Sequence, residues 1–371
     1  MKHFNLIICM AFLLTGCTQR PADERNSWAR GADLSWLSEM EHDGMLFYAA
    51  DNTTNHADER QAVDCIRLLA DMGMNAVRLR VWVNHTTGWS NIPDMVGLAK
   101  RAANQGLRVM VDIHYSDFFA DPHQQTIPAA WQSYDYSAMV QAVRTHTTEV
   151  LQALRTTDIT PEWVQIGNET PNGMLWPMGL VSSDMTDSAN IAAWDRYAGL
   201  TTAGYEAAKA VYDNITVIVH VDNAYEQRDW FWQAMYDHGG KWDMIGLSHY
   251  PMMSAWNGGK SWQQMNELAE ANIRQLIDIW HCPVMVTEIG TFAGDPIAVE
   301  VMDDFVRRAG HIDGCAGIFY WEPEVYGDWR PSEYIPLGWG SYGMGAFNEH
   351  GQPSEVLNVL FASHTSAPEQ Q

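Results

Sequence analysis

The chain has 371 residues, a formal net charge of −24, and 17 Trp together with 14 Tyr residues. So acidic a chain is a poor partner for nucleic acid or an anionic membrane surface, because both attract basic faces. This length suffices for one large barrel or two ordinary domains, and a domain of that size needs no disulfide framework for stability. The abundant aromatic rings suit sugar faces and binding clefts as well as a packed core.

The first segment of the chain is typical of a secretion signal. Lys2 precedes an apolar run over residues 6–14 that is too short to span a bilayer, and a Leu-Thr-Gly-Cys sequence ends at Cys17. This ending resembles a bacterial lipobox, which predicts that residues 1–16 are removed and that Cys17 is lipidated. The alternative is an ordinary signal peptide with an incidental cysteine. We expect a monomeric lipoprotein of the outer membrane or cell surface, with the periplasmic face as an alternative, held to the membrane only by its lipid.

The remainder of the chain is predicted to form a single domain, residues 28–362. Residues 17–27 are polar and are predicted to form a tether, and residues 363–371 a flexible tail. The cysteines of the domain have unrelated spacings that fit neither a disulfide framework nor a zinc motif, although a pairing between the last two stays open. They are Cys65, Cys282 and Cys315.

Apolar strand patterns alternate with amphipathic helix patterns along this domain. Asp58 is a candidate N-cap for a helix that ends at Gly73, and Asn91 with Pro93 opens another that stops near Gly106. Two longer helical stripes cover residues 138–154 and 264–280. The predicted strands are 30–36, 75–83, 107–115, 162–169, 215–222, 242–250, 283–290 and 316–322.

Eight such strand–helix units predict an α/β protein with the (β/α)₈ TIM-barrel fold. A doubly wound sheet is the rival architecture. It would normally have a Gly-rich phosphate turn after its first strand, and the sequence GADLSW at residues 31–36 has none.

Polar or aromatic side chains stand at the end of every predicted strand. In a barrel of this kind the carboxyl ends of the strands meet at one mouth, so we expect these side chains to converge there. A single such residue would indicate a structural ion pair, whereas a full ring indicates a site. In strand order they are Asp33; Arg78, Arg80 and Trp82; Asp112, His114 and Asp117; Asn168 and Glu169; His220 and Asp222; His249 and Tyr250; Glu288; and Trp321 with Glu322.

Glu169 and Glu288 are the candidate catalytic pair. Two carboxyl groups from opposing strands can flank a glycosidic bond, one as acid/base and the other as nucleophile. Nearby arginines would keep one carboxylate ionised, and burial would raise the pKa of the other. Spacing alone leaves an alternative open, in which each glutamate pairs with an arginine for structural reasons.

Seven stretches of the sequence resemble one family of barrel enzymes. Between residue 31 and about residue 324 they occur in the order GADLSWLSEMEHDGMLFY, NAVRLRVWVN, GLRVMVDIHYSDFFADP, IPAAW, VQIGNETPNGMLWPMG, GLSHYP and GIFYWEPE. An Asn-Glu pair that ends strand four and a Glu that ends strand seven resemble the arrangement of catalytic residues in the clan of retaining glycosidases. The whole set resembles the glycoside hydrolase family 53 endo-β-1,4-galactanases. This resemblance implies a catalytic barrel that hydrolyses galactan and type I arabinogalactan.

The resemblance also implies roles for single residues. Glu169 is expected to be the acid/base and Glu288 the nucleophile. Asn168 is expected to bind the 2-hydroxyl of the sugar at the cleaved bond, and Trp321 to lie beneath that sugar.

Further residues are implied around the nucleophile and along the cleft. Arg78 or Arg80 is expected to keep Glu288 ionised, and His249 or Tyr250 to contact it. The residues expected elsewhere along the cleft are Trp82, His114, Asp117 and Trp176.

The sequence departs from the family pattern at three positions in or near the cleft. Phe119 stands where the family usually has Trp, residues 123–125 occupy a stretch that usually contains Lys, and His249 replaces Tyr. The loop after the seventh strand is short, TFAGDPIAVE, where some bacterial members bind calcium. We therefore predict neither a calcium site nor another cofactor.

Three alternative functions stay open. The first is a glycosidase of the same clan acting on another plant β-glycan, and the second a surface glycan-binding lipoprotein without catalysis. The third is a metal-dependent barrel hydrolase, against which the first strand lacks a His-x-His pair and the fourth lacks a bridging lysine. Its zinc ligands would be Asp112, His114, His220, Asp222 and His249.

Overall fold

The computed structural model describes residues 28–50, 61–253 and 258–362. Its parallel strands close into a barrel in which each strand pairs with its neighbours along the chain and β8 pairs with β1. This confirms the predicted (β/α)₈ TIM barrel. The strands are β1 (Ala29–Asp33), β2 (Ala76–Val81), β3 (Arg108–Ile113), β4 (Trp163–Ile166), β5 (Thr216–Val221), β6 (Met244–His249), β7 (Val284–Ile289) and β8 (Cys315–Trp321).

Helices surround this barrel. Asn91 caps α3, as predicted, and Asp64 caps α2, whereas the predicted cap Asp58 lies outside the described residues. None of the helices in the described ranges is long and apolar enough to cross a membrane. The helices are α1 (Leu37–His42), α2 (Cys65–Asp71), α3 (Ile92–Asn104), α4 (Tyr136–Arg155), α5 (Ser188–Val211), α6 (Asp229–Asp237), α7 (Trp262–Trp280), α8 (Ala298–Gly310), α9 (Tyr334–Leu337) and α10 (Glu355–Phe361).

The barrel interior changes from apolar to polar along the strands. Near the amino ends of the strands it is filled by one apolar layer. Side chains two positions further along a strand point to the same side, and in this barrel they are buried and polar, for example Arg78, Asp112, Gln165 and His220. The polar layer therefore underlies the carboxyl-end mouth. The apolar layer consists of Ala29, Ala76, Met110, Trp163, Ile218, Met244, Met285 and Phe319.

The outward faces of the strands pack against the helices and form the main hydrophobic core. In α4, for instance, Met139, Val143, Val150 and Leu154 are fully buried at helical spacing. The three cysteines of the described residues are free thiols, so Cys282 and Cys315 do not pair. A barrel held by two continuous cores is a rigid support for the loops at its mouth.

Gly31 of β1 leaves the space that Phe319 needs inside the barrel, since a Cβ there would lie 2.2 Å from the phenyl ring. We expect Gly31→Ala to lower the free energy of unfolding by about 1–3 kcal/mol through overpacking. Gly97 in α3 is a matched control with nothing within 4 Å of an added Cβ. Gly97→Ala should be stabilising, by up to about 1 kcal/mol. Urea unfolding of both variants checks the prediction, and equal effects would contradict it.

Candidate active site

The Asn168-Glu169 pair lies in a turn, one residue beyond β4. The strand predicted over residues 162–169 ends at Ile166, because Gly167 has a φ of +82° and Glu169 a φ of +42°. Left-handed backbone interrupts the pairing of an extended strand and is uncommon for a residue with a side chain. The turn directs both polar side chains to the mouth of the barrel.

A cleft of about 1010 Å³ opens at this mouth. It contains both candidate catalytic glutamates, so the pair predicted from the sequence is brought to one place. The other residues predicted at the strand ends that line the cleft are His114, Asn168, Asp222, Tyr250 and Trp321.

Arg78 is the central cation beneath this cleft, and it is 1% exposed. Its guanidinium nitrogens lie 2.6 Å from Oδ2 of Asp33, 2.9 Å from Oδ2 of Asp112 and 2.9 Å from Oε1 of Glu288. It also donates to Oδ1 of Asn168 at 2.8 Å. One arginine thus connects groups from β1, β3, β7 and the turn after β4.

Glu288 is held on both of its carboxyl oxygens. Arg78 binds Oε1, and the hydroxyl of Tyr250 donates to Oε2 at 2.9 Å. Burial raises the pKa of Glu288 to about 7, although the charge of Arg78 acts to lower it. The carboxylate form therefore has two direct stabilising partners and a fixed orientation.

A β-bulge turns Glu288 into the cleft. Along β7, Met285 points into the barrel, and simple alternation would point Glu288 outward. Leu247 pairs with Val286 but Ser248 pairs with Glu288, so β7 has one extra residue at this point. Bulges re-aim side chains in this way next to active sites.

Within the described residues, no arginine is paired with the carboxyl group of Glu169. Burial, followed by the charges of Glu288 and Asp222, raises its pKa well above the ordinary range, and a hydrogen bond with Ser248 acts in the opposite direction. Of the two glutamates, Glu288 has the partners that favour a negative charge. Glu169 is therefore the one that retains a proton, as the electrostatics of a coupled pair require.

His220 orients this part of the site as a neutral imidazole. Burial and the charge of Arg78 lower its pKa well below the ordinary value. The backbone N–H of Glu169 donates to Nδ1 at 3.3 Å, so the ring proton lies on Nε2 and is donated to Oγ of Ser248 at 2.8 Å. The Ser248 hydroxyl remains free to donate towards Glu169.

Gln165 is a site residue that the sequence analysis missed. Its amide group donates to Oδ1 of Asp112 at 2.6 Å and to Oδ1 of Asn168 at 3.1 Å, while its carbonyl oxygen accepts from Arg78. It lies at the end of the short β4 pattern and is fully buried. A polar residue in an otherwise apolar buried strand was the available signal.

Arg80 and Trp82 lie beneath the cleft and do not line it. Arg80 donates to Oε1 of Glu322 at 2.7 Å, and its guanidinium lies 4.9 Å from the ring centroid of Trp82 and 4.7 Å from that of Phe119. Of the two arginines that were candidates to keep Glu288 ionised, Arg78 contacts Glu288 and Arg80 contacts Glu322. Trp82 is 1% exposed, so in this structure it supports the wall.

Three further predicted site residues make other contacts in this structure. His249 is fully buried on the helix side of β6, where Nε2 bonds Oδ1 of Asn266 at 2.8 Å, because alternation directs Ser248 and Tyr250 inward instead. Of the two residues predicted to contact Glu288, Tyr250 does so and His249 does not. Asp117 accepts backbone N–H groups at 3.0 and 2.8 Å and fixes loops. Trp176 donates from Nε1 to a backbone carbonyl in its own loop at 3.0 Å.

The segment after β8 supplies an aromatic cleft wall that the sequence analysis did not assign. Its residues lie well beyond the end of β8 at Trp321 and not at a strand end. The stretch YGDWRPSEYIPLGWGSY at residues 326–342 is aromatic-rich, and this was the signal available. The wall consists of Tyr334, Trp339 and Tyr342, with Phe292 from the loop after β7.

The described residues contain no group of three or more His, Cys, Asp or Glu side chains that could hold a metal ion. The fold does not bring together all five ligands considered for a metal-dependent hydrolase. Asp112 pairs with Arg78 and with Nε2 of His114, and His249 faces a helix. Asp222 pairs with Arg228. These side chains are engaged in different interactions and do not form one donor set.

Two coupled carboxyl groups in a cleft at the carboxyl-end mouth of a (β/α)₈ barrel are typical of glycoside hydrolases. The sequence model of the family described as glycosyl hydrolase family 53 matches residues 29–295. The chain therefore belongs to glycosyl hydrolase family 53 and is a glycoside hydrolase. Both the family and the enzyme class predicted from the sequence are confirmed.

Relatives and solved structures agree with this assignment. A probable arabinogalactan endo-β-1,4-galactanase A from Aspergillus terreus is 32% identical over 317 residues, covering 79% of this chain and 85% of that protein. An arabinogalactan endo-β-1,4-galactanase from Cellvibrio japonicus is 32% identical over 290 residues, covering 76% of this chain and 71% of that protein. The family 53 catalytic domain from Ignisphaera aggregans matches with a TM-score of 0.73 at 25% identity, covering 90% and 95% of the respective chains.

We expect Arg78→Met to destabilise the fold by about 3–5 kcal/mol at pH 7, because it leaves buried carboxylates without their cation. As a control, Arg274→Met removes an i,i+4 pair with Glu270 in which Arg274 is 46% exposed, and should cost less than about 1 kcal/mol. Urea unfolding measures both. The loss in Arg78→Met should shrink as acid protonates the carboxylates, and a loss no larger than that of the control would contradict this account.

Proposed function

We propose that this glycoside hydrolase cleaves β-1,4-galactosidic linkages within galactan and type I arabinogalactan, with retention of anomeric configuration. The main support is the pair Glu169 and Glu288, which share one cleft in electrostatic environments of different kinds. The names of the two relatives at 32% identity support galactan as the substrate.

In the first step, Glu288 is the nucleophile and Glu169 the general acid. A carboxylate oxygen of Glu288 attacks the anomeric carbon, while Glu169 gives its proton to the departing glycosidic oxygen. One C–O bond breaks and an ester to Glu288 forms, so the shortened chain leaves as an alcohol. Arg78 and Tyr250 hold the attacking group in place.

In the second step, Glu169 acts as the general base. As a carboxylate, it takes a proton from a water molecule whose oxygen attacks the anomeric carbon and displaces Glu288. The enzyme returns to its initial protonation state. A high pKa suits Glu169 for both steps, because the group holds its proton before departure of the leaving group and accepts one readily afterwards.

Asn168 and Trp321 are proposed to bind the sugar at the cleaved bond. One amide hydrogen of Asn168 is donated to the backbone carbonyl of Ala120 at 2.8 Å, and Oδ1 is occupied by Arg78. The second amide hydrogen remains for a substrate hydroxyl, consistent with the expected contact to the 2-hydroxyl. Trp321 lines the cleft and offers its ring to a sugar face.

We expect Glu169→Gln to lower kcat on galactan by about 10²–10⁴-fold, since it removes the general acid and base. Glu288→Gln should lower kcat by roughly 10⁴-fold or more, because no covalent intermediate can form. Release of reducing ends measures both, and vigorous turnover by Glu288→Gln would exclude its role as nucleophile. For the wild-type enzyme, ¹H NMR of the first product formed should show the β-anomer.

The stability of Glu169→Gln shows whether a loss of activity could result from unfolding. The folded-state pKa of Glu288 is about 7, above the value of about 4.3 for an unfolded chain, and the pKa of Glu169 is also raised well above its ordinary value. The folded protein therefore binds more protons, and its stability falls as the pH rises through the folded-state pKa values. Glu169→Gln should match the wild-type Tm below about pH 4 and exceed it above pH 7, so inactivity would not reflect unfolding.

The substrate is tested by incubating the enzyme with galactan, arabinogalactan, mannan, xylan and cellulose and resolving the released oligosaccharides. Galactan should give internal cleavage products first. Preference for another polymer would indicate a glycosidase of the same clan with a different β-glycan as substrate. Binding without release of reducing ends at high enzyme concentration would indicate a non-catalytic glycan-binding protein.

We also infer a lipid anchor at Cys17, which lies outside the described residues together with the tether of residues 17–27 and the tail of residues 363–371. The lipobox-like sequence before Cys17 supports this inference. In a bacterium fed labelled palmitate, the full chain should take up label and sediment with membranes, whereas Cys17→Ser should do neither. Absence of label from the wild-type chain would favour an ordinary signal peptide.

A further inference from the structure

Asp222 is a charged residue of the cleft to which the catalytic steps above give no part. It directly follows β5 and, by strand alternation, lies on the same interior side as His220. It is only 9% exposed and lines the same cleft as Glu169. Burying a carboxylate at the wall of an active site costs free energy unless the carboxylate is paired, so its presence there indicates a structural or functional role.

The carboxylate of Asp222 is rigidly fixed. Arg228 forms an ion pair with Oδ1, and the side-chain amide of Asn223 donates to Oδ2 at 2.6 Å. Arg228 also binds Glu226 at 2.7 Å. One guanidinium thus serves two carboxylates, so this group of three side chains keeps a net negative charge beside the cleft.

The turn that holds Glu169 rests on the same strand as Asp222. The backbone N–H of Glu169 donates to Nδ1 of His220 at 3.3 Å, and the N–H of Thr170 donates to the His220 carbonyl at 2.8 Å. Asp222 is two residues further along β5, towards the mouth. The ionisable groups that face Glu169 from the neighbouring elements are Asp121, His220, Asp222, Tyr250 and Glu288.

We propose that Asp222 is a positioning residue for proton transfer. Its fixed negative charge, which Arg228 partly neutralises, keeps the proton on Glu169 until the leaving oxygen accepts it. The inference rests on the proposed role of Glu169 as acid/base. Of the surrounding anions, Glu288 changes its charge state when the ester forms, whereas Asp222 takes no part in bonding. It can therefore supply the same field in both steps. The pKa of Glu169, raised first by burial, then by Glu288 and then by Asp222, agrees with this arrangement.

The test is the alkaline limb of the pH profile of kcat/KM on galactan, which reports the ionisation of the acid in the free enzyme. Asp222→Asn keeps the shape and removes the charge, and should move this limb downward by about one pH unit. Arg228→Gln leaves the charge of Asp222 less compensated and should move the limb upward. Asp222→Glu preserves the charge and should leave the limb near its wild-type position.

Opposite shifts by Asp222→Asn and Arg228→Gln are not expected from a structural role, because loss of the ion pair would affect both variants in the same direction. A uniform fall in kcat/KM with an unmoved limb in both folded variants would overturn the inference while leaving the proposed function intact. Failure of the wild-type enzyme on galactan would instead reject the proposed substrate. In that case the pKa of Glu169 can be measured without substrate from the pH dependence of its carboxyl ¹³C signal, which is assigned by its absence in Glu169→Gln. A lower pKa in Asp222→Asn and a higher pKa in Arg228→Gln would support the inference, and unchanged values would overturn it.

Discussion

The site depends on a single buried cation. Arg78 is surrounded by the carboxylates of Asp33, Asp112 and Glu288, and each of these comes from a different strand. Burying these anions without a cation would cost several kcal/mol for each unpaired charge. Because the guanidinium is planar and always charged, it can contact three carboxylates and two side-chain amides at once. Three buried carboxyl groups of the barrel are thus paired with this one arginine.

The same cation separates the two glutamates chemically. Glu288 forms an ion pair with Arg78 and accepts a hydrogen bond from Tyr250, and both contacts favour its charged form. Glu169 instead faces the negative charges of Glu288 and Asp222, which favour its protonated form. Two identical side chains thereby acquire the properties of a nucleophile and an acid through their neighbours alone. Nothing in the local sequence around either glutamate fixes this division.

The sequence determined the architecture and the set of polar residues at the barrel mouth. Eight apolar strand patterns alternating with helical stripes leave a parallel sheet that must be covered on its outer face, and a closed barrel satisfies this condition. Since parallel strands end at one edge, the polar residues that follow them had to meet. This reasoning needs no interatomic distance, and it identifies Glu169, Glu288, Asn168 and Trp321. Strand boundaries were less certain, and β4 is half as long as predicted because Gly167 and Glu169 leave the extended region.

Only the tertiary structure decided which of these residues face the cleft. A bulge in β7 turns Glu288 inward, and alternation on β6 sends His249 to the helices while Tyr250 contacts the nucleophile. The wall after β8 and the part played by Gln165 depend on residues distant in sequence that meet in space. Side-chain periodicity along a strand predicts alternation, but the absolute phase is set by pairing with neighbouring strands. For that physical reason the residue types could be read from the chain, whereas their directions and partners required the folded barrel.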